Sequence, residues 1–212
     1  MLEFVLKTLV SYLLGSALGS LIVGRIRGGV DIRNLGSGNA GGTNALRTQG
    51  IFFALWVMLI DVGKGWIAAA VIPNIHLFGP DGSVERQWLS VACSAAVVLG
   101  HVYPIWYGFR GGKGAATLVG VLAGLHPHAL GPVLSCWIIV LVLTGYVGLA
   151  TVVATALFPA YLALTHQATN VPLISFAVAM AFFVLYTHRS NISRMRAGTE
   201  SRARRVWLLR PR

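Results

Sequence analysis

The sequence predicts an all-α, polytopic transmembrane helical bundle, and three observations carry that expectation: 56% of residues are hydrophobic, only 11% are charged, and mean hydropathy is +0.72. A soluble core cannot hide so much apolar surface. The net charge of +11 is unevenly placed, with basic residues gathered at Arg25 to Arg47, Arg110 to Lys113 and Arg189 to Arg212. A nucleic-acid-binding face would spread its basic side chains over a water-soluble surface with aromatic platforms between them; apolar runs fill those intervals here, so no nucleic-acid partner is expected. Membrane lipids are the expected surroundings, and the tail carrying Arg194, Arg202, Arg204 and Arg205 suits anionic headgroups.

A spanning helix needs roughly 20 apolar residues, because lipid satisfies none of its backbone groups. Runs of that kind are expected at about 4–24, 51–72, 88–107, 129–147, 148–166 and 171–187, with a shorter apolar piece at 115–126. The loop charges call for an odd number of crossings, seven, or five if 115–126 does not cross. The first run has no charged leader and no cleavage pattern, and reads as a retained helix. Loop 25–50 sets Arg25, Arg27, Arg33 and Arg47 against Asp31, and loop 73–87 sets Asp81 and Glu85 against Arg86. By the positive-inside rule the N-terminus is expected outside and the C-terminus in the cytoplasm. Pro104, Pro127, Pro132 and Pro159 are expected breaks or kinks, and residues 1–212 read as one domain. Cys93 and Cys136 lie in apolar runs without metal-ligand spacing, so neither a disulfide nor a metal site is expected.

Three polar segments carry the chemistry. The first contains Gly36, Ser37, Gly38, Asn39, Gly41, Thr43, Asn44 and Arg47. Glycine-rich backbone turns N–H groups on an anion, while hydroxyl, amide and guanidinium donors add charge-assisted bonds, a pattern suited to phosphate. Gly36 to Gly41 also satisfies G-x-G-x-x-G, but no strand precedes it, which excludes the dinucleotide reading. The second segment runs from His101 through Gly111, Gly112, Lys113 and Gly114 to Thr117, placing an ammonium at the opening of an apolar helix. The third contains His188, Asn191 and Glu200, with a histidine able to exchange protons near neutral pH. His76 and Asp81 match an H-x₄-D pair but fall in the loop assigned to the outer face. His126, His128 and His166 read as structural. Asp61 and Lys64 share one helical face inside the second span, either as a scaffold for the first segment or as a plain buried pair.

The sequences Gly-Ser-Gly-Asn-x-Gly-x-Thr-Asn-x-x-Arg at 36–47, Gly-His-x-x-Pro with Gly-Gly-Lys-Gly-x-Ala-Thr at 100–117, and His-x-x-Asn-Ile-x-Arg with Gly-Thr-Glu at 188–200 resemble, in order and spacing, the cytoplasmic motifs of the bacterial acyl-phosphate:glycerol-3-phosphate acyltransferases. Ala40, Gly42 and Thr187 depart from the usual pattern, and Asp61-x-x-Lys64-Gly65 fits a lesser family feature. The resemblance implies transfer of a fatty acyl group from acyl-phosphate to the sn-1 hydroxyl of glycerol 3-phosphate, giving lysophosphatidate and phosphate in phospholipid biosynthesis, in the bacterial inner membrane with a cytoplasmic active site. It implies no cofactor. The expected catalytic residues are Ser37, Arg47, Lys113, His188 and Asn191, and the expected substrate contacts are Gly36, Gly38, Asn39, Gly41, Thr43, Asn44, His101, Gly111, Gly112, Gly114 and Thr117. Asp61, Lys64 and Glu200 are expected as supports. Ser37 would donate to the acyl carbonyl or orient the hydroxyl, and the base would be His188 or a substrate phosphate oxygen. The three segments are expected to converge on one pocket for two anionic headgroups. A transporter of phosphate or an organophosphate is the alternative, but it wants charged residues on several helices at the midplane, where only Asp61 and Lys64 occur.

Overall fold

The structure, a computed structural model, describes residues 1–75, 85–165, 167, 169–203 and 206–209. His76, Asp81, His166, Arg204 and Arg205 lie outside the described residues. Within them every regular element is helical, as the composition requires, and none is a strand. The chain divides into two compact units, Met1–Pro127 and His128–Arg212.

The first unit contains α1 (Leu2–Ser16), α2 (Gly19–Ile26), α3 (Gly42–Gln49), α4 (Ile51–Trp66), α5 (Arg86–Val102) and α6 (Ala115–Leu125). Helix α4 runs on through a π turn and a 3₁₀ turn, making a continuous 24-residue apolar span, Ile51–Asn74. The first span differs from the expected unbroken run at 4–24: α1 and α2 meet at 48°. No proline causes the bend. Lys64 of α4 donates to the carbonyls of Gly15 and Ala17 at 2.8 Å each, and Asp61 accepts the Gly19 N–H at 3.1 Å, so an ion pair in the next span satisfies the backbone groups the break exposes.

Small residues decide which helices meet. Helix α1 packs on α5 and α4 on α6. A Cβ on Gly15 would overlap the Val97 carbonyl, and one on Gly65 would overlap the Thr117 carbonyl. Gly100 and Gly120 make the reciprocal approaches, to the carbonyls of Tyr12 and Val62. In lipid no solvent drives helices together, so such backbone contacts and interhelical hydrogen bonds supply much of the packing energy. At 11 residues α6 is about 16 Å long at 1.5 Å per residue, shorter than the hydrocarbon layer.

The second unit contains α7 (Leu130–Thr144), α8 (Val147–Leu164), α9 (Val171–Thr187) and α10 (Arg189–Arg196), with α10 bent 51° from α9. Pro159 lies inside α8 without ending it. The tail folds back on the α7–α8 turn: Ala203 N–H donates to the Gly145 carbonyl at 2.8 Å, and Trp207 Nε1 to that of Leu143 at 3.1 Å. The Arg202 guanidinium lies 4.5 Å from the Tyr146 ring and 4.0 Å from the Trp207 ring. Arg202 therefore fastens the tail, where the sequence suggested lipid headgroups. Arg194 is likewise engaged within the protein, by Glu200.

Candidate functional site

Segment 31–47 is shaped by two side chains. Asn44, 2% exposed, places its amide nitrogen 2.9–3.0 Å from the carbonyls of Ile32, Leu35 and Asn39, and its Oδ1 accepts the Ser37 N–H at 3.0 Å. The loop winds around that one amide. Gly36 (φ +57°) passes so close to Asn44 Oδ1 that a side chain would collide with it. Ser37, Thr43 and Arg47 are left exposed along the loop and α3, with Gly41 at the N-cap of that helix.

Arg33 makes the second arrangement. Its guanidinium grips Asp31 with Nε–Oδ1 at 3.0 Å and Nη2–Oδ2 at 2.7 Å, while Nη1 donates to the carbonyls of Tyr107 at 3.2 Å and Arg110 at 3.0 Å. It thereby joins the first and second glycine-rich segments. The hydrogen bond from Arg33 holds the Asp31 carboxyl below its ordinary pKa, and the same bond raises that of Arg33. Asp31, Arg33 and Tyr107 were not among the expected site residues. The only local signal for them is an acid and an arginine two positions apart.

The second segment is backed by the helix interior. His101, 2% exposed, accepts the Gly112 N–H on its carbonyl at 3.1 Å, and its ring lies where a Gly112 side chain would be. His101 Nδ1 is 3.4 Å from Asp61 Oδ1, and Lys64 Nζ is 2.9 Å from the same oxygen. The cluster that props the α1–α2 break thus also stands behind the glycines preceding Lys113. Gly112, Gly114 and Thr117 are buried with it, while Gly111 and Lys113 are half-buried and Lys113 stands just before α6. Asn44, His101 and Thr117, expected as substrate contacts, occupy interior positions.

In the second unit His188 is buried at the α9–α10 bend, with Nδ1 2.9 Å from the Val184 carbonyl. A carbonyl only accepts, so this bond places the proton on Nδ1 and leaves Nε2 as the basic nitrogen. Asn191 packs against Gly148 and donates to Glu200 Oε1 at 2.6 Å, and Arg194 Nε donates to Oε2 at 2.6 Å. Glu200 therefore fixes both side chains through one carboxylate.

The sequence model of the family described as glycerol-3-phosphate acyltransferase matches residues 5–198. The chain is 36% identical to the glycerol-3-phosphate acyltransferase of Chlorobaculum parvum over 95% of its own length and 97% of the relative's. For the enzyme of the same name from Chlorobium phaeovibrioides the identity is 35%, over 91% and 93%. Among solved structures it is similar to PlsY (YgiH), an integral membrane glycerol 3-phosphate acyltransferase, with a TM-score of 0.81 to the glycerol 3-phosphate form and 0.80 to the lysophosphatidic acid form. Identity to both is 32%, with 94% of each chain covered. With its apolar helices, phosphate-suited loops and full-length likeness, the chain belongs to the glycerol-3-phosphate acyltransferase family and is a membrane glycerol-3-phosphate acyltransferase.

Proposed function

We propose that the acyl donor is acyl-phosphate and that the acceptor is the sn-1 hydroxyl of glycerol 3-phosphate. The single observation that supports this reading is the Arg33 link between the two glycine-rich segments, whose backbone donors and neighbouring cations suit anionic headgroups. Acyl-phosphate is an activated mixed anhydride and carries a dianionic head of the same kind as its acceptor. Arg47, Lys113, Asn39, Thr43 and the N–H groups of Gly36, Gly38, Gly41 and Gly111 hold the phosphates. Asn44, His101, Gly112, Gly114 and Thr117 act on substrate through the loops they shape.

In the proposed step the glycerol hydroxyl oxygen bonds to the acyl carbon, the carbon–oxygen bond to phosphate breaks, and the hydroxyl proton passes to His188 or to a substrate phosphate oxygen. Inorganic phosphate leaves with the electron pair. Ser37 donates to the carbonyl oxygen as negative charge builds there, and Asn191 orients the acceptor. Since the donor is already activated, positioning and charge neutralisation supply most of the rate. The proposed setting is the bacterial inner membrane, with seven crossings if the bilayer thins around the short α6, the N-terminus outside and the site facing the cytoplasm.

The test is to incubate purified protein with labelled glycerol 3-phosphate and either acyl-phosphate or acyl-CoA of equal chain length. The reading requires lysophosphatidate acylated at sn-1, with acyl-phosphate the better donor. Equal or faster turnover with acyl-CoA would falsify the donor assignment.

A further inference from the structure

The face of α10 opposite Asn191 and Arg194 is assigned no role by the acyl transfer. At 100° per residue, Arg189, Ile192, Ser193 and Arg196 fall on one side of that helix. With Phe182, Leu185 and Tyr186 of α9 they line a groove of about 420 Å³. The groove is amphiphilic along its length. Phe182, Leu185 and Ile192 form an apolar wall at the end of the last span, and two guanidiniums and a hydroxyl stand on the helix that bends 51° away from it.

Charge makes the groove selective. Residues 128–212 contain one acidic side chain, Glu200, and it is engaged by Asn191 and Arg194. Among the described residues of their unit, Arg189 and Arg196 therefore have no acidic side chain left to balance them. The Arg189 guanidinium is steadied 4.2 Å from the Tyr186 ring, with Nη1 donating to the Tyr186 carbonyl at 3.0 Å, which uses one of its five N–H groups. A guanidinium pair at the end of an apolar span sits at the depth of lipid phosphates, where each such cation favours anionic headgroups.

We propose that this groove is a binding site for one anionic phospholipid of the surrounding bilayer, its phosphate between Arg189 and Arg196 with help from Ser193, and one acyl chain along Phe182, Leu185 and Ile192. Asn191, the residue of α10 itself assigned to acyl transfer, projects from the opposite face, which sets the groove apart from that contact. The site is independent of donor identity.

Native mass spectrometry of the purified full chain tests this, with phosphatidylglycerol and phosphatidylcholine of identical acyl chains as probes. The wild type retains phosphatidylglycerol roughly tenfold or more over phosphatidylcholine, and Arg189→Gln/Arg196→Gln loses that preference. Arg196→Gln alone, at an exposed position, lowers the preference without the fold being at stake. Equal retention of the two lipids by the wild type, or an unchanged preference in a monodisperse double variant, overturns the proposal. Displacement of the phospholipid by millimolar inorganic phosphate overturns it as well, making this a free-phosphate site.

Discussion

The Asp61 carboxylate accepts the Gly19 N–H at 3.1 Å, so an acid in the second span completes the hydrogen bonding of the first. Lys64 does the same for the carbonyls on the other side of the break and neutralises Asp61 at 2.9 Å. Neither side chain is an isolated charge in lipid. Together they satisfy the backbone groups that the helix break exposes.

Lys64→Met strands a buried carboxylate and two carbonyls, and is expected to remove roughly 3–5 kcal/mol of stability. Replacing a buried pair by apolar residues is often neutral, but here Asp61→Leu/Lys64→Met leaves the Gly15, Ala17 and Gly19 groups unsatisfied at roughly 1–3 kcal/mol each. The double variant is therefore expected to stay well below wild type in thermal unfolding in detergent. A midpoint equal to wild type would show that the pair does not support the break.

Gly65→Ala and Gly63→Ala differ by two positions and are expected to have opposite signs. A Cβ at Gly65 meets the Thr117 carbonyl, forcing α4 and α6 apart at about 1–3 kcal/mol, whereas nothing lies within 4 Å of one at Gly63. There, relief of the helix penalty of glycine adds up to about 1 kcal/mol. Unfolding midpoints of the two variants decide it, and equal shifts would refute the close contact.

Arg33→Ala cuts the link between the two glycine-rich segments and is expected to lower kcat/KM about tenfold or more, with stability changed by only about 0–1 kcal/mol because the pair is partly exposed. The pH dependence follows from the depressed Asp31 pKa. Its contribution is fully present above the ordinary value of 3.8 and is lost as pH falls through the lower folded value, so the clamp holds across neutral pH and opens only in strong acid. Asp31→Asn should remove this acid-range dependence from the unfolding midpoint, and a dependence kept by the variant would assign it elsewhere.

His188→Ala is expected to lower kcat by roughly 10²-fold or more if Nε2 takes the hydroxyl proton. Activity within about threefold of wild type would hand that role to a substrate phosphate oxygen.

The apolar spans and the three polar segments were legible because their signals are local: a run of apolar residues, or glycines beside cations. The bend at Ala17 and Leu18 was not, since its partner Asp61 lies 42 positions from Gly19 and nothing nearby in sequence announces it. Asn44 was visible as a polar residue of the first segment, but only the path of the loop shows that its amide is occupied by backbone. Arg202 shows the same limit, because the Tyr146 ring it stacks on is 4.5 Å away in space and far away in sequence.

The propped break also constrains how the chain is made. Until residue 64 leaves the ribosome, the carbonyls of Gly15 and Ala17 and the Gly19 N–H have no partner that hydrocarbon could replace. The bent form of the first span is therefore satisfied in lipid only with the second span beside it.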